Sequence, residues 1–190
     1  MNLPLLLVSN AQLNYVRRAL RCNALRLMRL LTLFAVLGFS CSNVLARAFD
    51  LEVRTLDGET VPLSSFSEPG KWTMVMMWTT YCGICRRQYP AVSAFHDKHK
   101  DAYAKVIGMS LDGYGEVAKV RAYIASKAMS FDSVIVEADA IAVAYKAFTD
   151  EAFTGTPTYL MFAPDGALVA HVPGVLTMEA VEEFMRDSGY

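Results

Sequence analysis

The apolar run Thr73-Met74-Val75-Met76-Met77-Trp78 leads within four residues into Cys82-Gly83-Ile84-Cys85. A short run of this kind, with no polar alternation, reads as a strand buried on both faces, and such a strand needs covering layers on either side. The residues after the cysteines suit a helix running toward His99, with Pro90 inside it as a kink. The first sulfur then sits at the amino end of a helix, where unpaired N–H groups and the macrodipole favour a thiolate. Arg86 and Arg87 add positive charge nearby. Three uses compete for such a pair: a zinc half-site, a structural bridge and a redox couple. Zinc needs four ligands, and neither a second cysteine pair nor a matching spacing among His96, His99 and His171 supplies them. As a brace, so small a loop constrains the unfolded chain by only about 2 kcal/mol on the entropic model. The redox reading fits best, with Cys82 as the attacking sulfur and Cys85 as the one that displaces the mixed disulfide.

The rest of the chain alternates between strand and helix signals. Phe49–Val53 alternates in polarity before an Asp57-Gly58 turn, suggesting a short hairpin. Val106–Leu111 and Val134–Val136 read as further strands. Helical spacing marks Val117, Val120, Ile124 and Ala128, and again Ile141, Ala144, Tyr145 and Phe148. Thr158–Phe162, a Pro164-Asp165-Gly166 turn and Leu168–Val172 make a second hairpin, and Thr177 caps a final helix carrying Val181, Phe184 and Met185. This order predicts an α/β domain: a central mixed β-sheet covered by helices on both faces.

Charge divides the chain. Residues 1–46 hold five of the 18 basic residues and no acid, which leaves 13 basic against 19 acidic residues beyond them. An acidic domain without basic clusters argues against nucleic acid or an anionic membrane as partner. Arg26 and Arg29, the apolar stretch Leu30–Phe39 and Val44-Leu45-Ala46-Arg47-Ala48 form the pattern of a secretory signal cleaved after Ala46 or Ala48. An uncleaved anchor and lipidation at Cys41 are the competing readings, and residues 1–27 fit an over-extended start. Each places a domain at residues 47–190 in the periplasm or otherwise outside the cytoplasm, touching a membrane only through an uncleaved leader. Cleavage there leaves only Cys82 and Cys85, since Cys22 and Cys41 lie in the leader.

The stretch from Trp78 to Pro90 resembles the active site of the thioredoxin superfamily, and residues 49–190 are similar to its exported TlpA/ResA-type branch. The resemblance rests on an ordered set: Asp57-Gly58 with Val61-Pro62-Leu63, Trp78 four residues before Cys82, Pro90, Ser110-Leu111-Asp112, Gly155-Thr156-Pro157-Thr158 and Pro164-Asp165-Gly166. It implies a thioredoxin-like fold and a protein-disulfide oxidoreductase, with the Cys82–Cys85 disulfide as redox centre and no other cofactor or metal. It also implies a cis Thr156–Pro157 bond beside the cysteines and target contacts from Trp78, Tyr81, Gly83, Ile84, Thr156 and Pro157. The expected partners are protein disulfides or dithiols, including apocytochrome c, and a membrane thiol donor of electrons; a reducing role follows from the branch.

The chain departs from the family pattern at four points. Met76 stands where thioredoxin has a buried acid, Gln88 where the branch has glutamate, Tyr81 where tryptophan is frequent, and Gly83-Ile84 lacks the usual proline. Glu137, Asp139 or water is left as proton acceptor for Cys85. His96 and His99 are expected on a solvated helix face, Met74, Met76 and Met77 as core split between two sheet faces, and Tyr114 as an exposed loop aromatic. Two other functions compete. Thr79-x-x-Cys82 matches part of a peroxiredoxin motif, with Val75 in place of its proline. A copper-delivery protein would use the two cysteines and His171.

Overall fold

A computed structural model describes residues 51–190. The leader expected at residues 1–46, the domain boundary at 47 and the strand start at Phe49 lie outside those residues. Seven strands form one mixed sheet: β1 (Glu52–Thr55), β2 (Thr60–Pro62), β3 (Trp72–Trp78), β4 (Ala104–Ser110), β5 (Asp132–Ile135), β6 (Thr158–Phe162) and β7 (Leu168–Pro173). Their order in space is β2-β1-β5-β4-β3-β6-β7. Strand β3 runs parallel to β4 and antiparallel to β6, and the hairpins β1–β2 and β6–β7 finish the two edges. Four helices complete the domain: α1 (Gly83–His99), α2 (Val117–Lys127), α3 (Ala138–Thr149) and α4 (Met178–Asp187). The expected α/β architecture is the one observed. Among the described residues no helix is long and apolar enough to cross a membrane.

Every residue of β3 is buried, as a continuous apolar strand requires. Its alternation divides the core. Met74, Met76 and Trp78 pack on one face with Cys85, Tyr89, Val92 and Phe95 of α1, Val120 of α2 and Val181 and Met185 of α4. Val75 and Met77 pack on the other with Ile141 and Tyr145 of α3. The methionines are therefore core on two faces, as expected. Helix α4 starts where Thr177 accepts a hydrogen bond from Ala180 N–H, the expected cap.

The histidine reading is corrected. His96 and His99 are buried, because the face of α1 that carries them is covered. His96 Nδ1 accepts the N–H of Val106 at 3.1 Å, which ties α1 to β4. His99 lies between the rings of Phe95 and Tyr103, with Nε2 2.8 Å from Glu182 of α4, whose carboxylate also accepts from Lys98. Tyr114 is corrected too: it is half-buried, with the Arg54 guanidinium 4.1 Å above its ring.

Burial holds His96 below its ordinary pKa. The unfolded chain then takes up a proton near pH 6.5 that the native state refuses. Unfolding free energy should fall below about pH 6.5, by up to about 1.4 kcal/mol per pH unit, until the native pKa is reached. Denaturant titrations across pH read this slope. His96→Asn, whose amide oxygen can take the same N–H, should flatten it.

Candidate active site

The site forms where β3 ends. Leu111 N–H donates to Trp78 O across to the parallel neighbour, and a turn closes as Cys82 N–H donates to Thr79 O at 3.2 Å. Helix α1 starts at the next residue. Its N-cap is Cys82, whose Sγ accepts the N–H of Cys85 at 3.0 Å. A sulfur here occupies the place that a serine or aspartate oxygen fills in most helices, facing the free N–H groups of the first turn. Cys82 and Cys85 are joined, with Cα atoms 5.3 Å apart. Cys82 is half-buried, and Cys85, one turn into the helix, is 0% exposed.

The loop before β6 meets the pair from the other side. Thr156–Pro157 is cis, as the resemblance implied, and Thr156 O lies 3.5 Å from Cys82 Sγ. Pro157 O accepts the N–H of Gly174, bringing the β7–α4 connection alongside. Beside the disulfide two apolar side chains are exposed, Tyr81 at 77% and Ile84 at 42%, while the exposed Arg87 reaches back to the Gly83 carbonyl. A Cβ added at Gly83 would meet nothing within 4 Å, so the ground in front of the helix start is open. Five of the six residues expected to contact a target thus border the disulfide or its flanking turns. The sixth does not. Trp78 is 0% exposed, stacked with Tyr123 and edge-on to Tyr89, because its strand position faces the core with Met74 and Met76. It offers a target no surface.

Gln88 follows Cys85 by one turn. Its Oε1 accepts both the Tyr159 hydroxyl and the Leu176 N–H, each at 3.0 Å, joining α1, β6 and the loop before α4. Both carboxylates suggested as proton acceptors lie elsewhere. Glu137 accepts the Tyr114 N–H at 2.8 Å, and Asp139 is exposed in the first turn of α3, on the sheet face opposite Cys85. His171 does not join the cysteines either. It pairs across the hairpin with Leu160, on α3's side of the sheet, with Nδ1 2.9 Å from the Tyr145 hydroxyl. The copper-delivery reading loses its histidine.

Two residues here had no assigned role. Val175, 62% exposed, lies between Gly174 and Leu176, whose N–H groups are bound to Pro157 and Gln88. In the sequence Asp112 stands out only as part of a family pattern. Its side chain is 1% exposed and takes the Thr80 N–H at 3.0 Å and the Ser110 hydroxyl at 2.8 Å. An acid directly after a buried strand was the available signal.

The AhpC/TSA family model matches residues 44–171. Thiol-disulfide oxidoreductase ResA of Bacillus thuringiensis subsp. konkukian is 23% identical over 134 residues, covering 70% of this chain and 72% of that protein. A thiol:disulfide interchange protein of the thioredoxin family from Chlorobium tepidum superposes with a TM-score of 0.59 at 18% identity, covering 72% of this chain and 90% of that one. The exposed lipoprotein thioredoxin Etrx1 of Streptococcus pneumoniae gives a TM-score of 0.57 at 20% identity, over 73% and 98%. The fold is thioredoxin-like.

Two measurements check the geometry. After reduction, Cys82 should alkylate about tenfold or more faster than Cys85 at neutral pH, since exposure and the helix terminus favour it; mass spectrometry reads the order. Gln88→Ala orphans a hydroxyl and an N–H and should lower unfolding free energy by about 2 kcal/mol in denaturant titrations.

Proposed function

Because the chain belongs to the AhpC/TSA family, and from the disulfide at the head of α1, we propose that it is an extracytoplasmic thiol–disulfide oxidoreductase using Cys82 and Cys85. In the reducing direction both cysteines start as thiols. The Cys82 thiolate attacks one sulfur of a target disulfide; the target S–S bond breaks, one target thiolate leaves, and a mixed disulfide forms. The Cys85 thiolate then attacks Cys82 Sγ, the mixed disulfide breaks, and the second target thiolate leaves and is protonated. The target gains two electrons, and the protein ends with the Cys82–Cys85 disulfide. Glu137 and Asp139 being engaged or on the far face, water takes the Cys85 proton in this scheme.

The single observation that carries the reading is the placement of Cys82 Sγ between the first-turn N–H of Cys85 and the Thr156 carbonyl. The first contact stabilises a thiolate, and the second sets an open backbone acceptor beside the sulfur for the N–H of an extended target. Tyr81, Ile84 and Val175 supply exposed apolar area around it. Names borne by relatives favour the same chemistry: ResA is called a thiol-disulfide oxidoreductase, and Etrx1 an exposed lipoprotein. We assign apocytochrome c to the targets and a membrane thiol donor to the return of electrons, on the family resemblance. A peroxidase is the second reading, favoured by the buried Thr79 hydroxyl, which has no hydrogen-bond partner among the described residues.

Trapping separates them. Cys85→Ser should accumulate mixed disulfides with exported proteins, and Cys82→Ser should accumulate none. Turnover of hydrogen peroxide by the intact protein, with no trapped proteins in Cys85→Ser, would establish the peroxidase instead.

A further inference from the structure

A carboxyl group withdrawn from water costs several kcal/mol unless its lone pairs are filled. Asp112, just past the end of β4, is so withdrawn, and its oxygens are filled from one place above all. Oδ2 accepts the Thr80 N–H at 3.0 Å and the Ser110 hydroxyl at 2.8 Å. Oδ1 accepts the Thr80 hydroxyl, with the Lys119 ammonium 3.8 Å away at the solvent side. Ser110 Oγ in turn accepts the Asp112 N–H, which fixes the carboxyl group's orientation. Both polar groups that Thr80 can donate from are therefore held by one buried side chain 32 residues further along.

Thr80 lies inside the turn that delivers Cys82. Thr79 O accepts the Cys82 N–H, Cys82 O accepts the Arg86 N–H, and Cys82 Sγ takes the N–H of Cys85. Between Trp78, locked in the core, and Cys82, capping α1, the chain has three residues in which to reverse. The Asp112 bonds are made to the middle one. We propose that Asp112 is a positioning residue for Cys82: it clamps the Thr79–Cys82 turn and so sets the sulfur between the helix start and the Thr156 carbonyl. The proposal rests on the exchange chemistry above and adds to it a residue that touches neither sulfur.

Position and charge can be told apart. Asp112→Asn keeps an oxygen for the Thr80 N–H and the Ser110 hydroxyl and reverses the bond to the Thr80 oxygen, which then accepts; it removes the charge and leaves the turn clamped. Asp112→Ala removes the clamp as well. The reduced full-length protein is reacted with oxidised glutathione across pH, which yields a midpoint for the Cys82 thiolate and a plateau rate above it. Removing a neighbouring negative charge should lower the midpoint in both variants alike. The plateau should fall about tenfold or more in Asp112→Ala, as misplacement of a reacting atom does, and Asp112→Asn should recover most of it. Thr80→Val, which deletes only the hydroxyl, should lose severalfold and serves if the alanine variant fails to fold. A plateau unchanged in Asp112→Ala and Thr80→Val, with only the melting temperature lowered, would overturn the proposal. So would an Asp112→Asn plateau as low as that of alanine, which would make charge the whole effect. Should the wild-type protein exchange with glutathione but with no protein disulfide, the functional reading falls while the plateau comparison still decides the role of Asp112.

Discussion

Strand β3 is covered on both faces, and the rest of the domain follows from that requirement. Seven consecutive buried residues cannot be satisfied by one layer, so α1 with α4 and α2 cover one side and α3 the other. Its two neighbours run in opposite senses, β4 parallel and β6 antiparallel. The carboxyl end of β3 therefore meets the carboxyl end of β4 and the amino end of β6. Three connections converge there: the turn into α1, the segment carrying Asp112, and the loop that ends in Thr156–Pro157.

That convergence explains how residues far apart in the chain act on one sulfur. Helix α1 contributes its first N–H groups, the loop before β6 contributes a carbonyl, and the end of β4 holds the turn between strand and helix. None of these elements is specialised alone. A helix start facing solvent would favour a thiolate without selecting a target, and an exposed carbonyl would pair with any extended chain. Their meeting leaves one side of the half-buried sulfur open, toward Gly83, Tyr81 and Ile84, while the apolar core closes off Cys85.

What was legible in the sequence was what local pattern carries. The β3 run, the cysteine spacing, the Thr177 cap and the hairpin turns are decided within a few residues, and each is found where the pattern put it. Matching a family's ordered motifs also located the cis bond at Thr156–Pro157. Misreadings fall where burial depends on partners far along the chain. His96 and His99 follow Phe95 at spacings that apolar residues use, yet only Val106 and Glu182, from other elements, reveal a covered face. Tyr114 is shielded by Arg54, sixty residues earlier. Trp78 is different: its period-2 relation to Met74 and Met76 already places it in the core, whatever its place in the family motif. For Asp112 the sequence shows an acid after a buried strand, but nothing local points to Thr80, 32 residues earlier, as its partner.

Gln88 bears on how the domain behaves through a redox cycle. Its oxygen binds Tyr159 and Leu176 one turn below the buried sulfur, where the related branch has glutamate. An amide has the same charge in every protonation state the neighbouring thiols can adopt. Gln88 therefore adds no titrating charge of its own to that seam, and the bonds holding α1 to β6 and to the loop of Val175 do not depend on a proton that the sulfur chemistry could move. The loop that carries Val175 past the disulfide is thus moored to α1 through a neutral group.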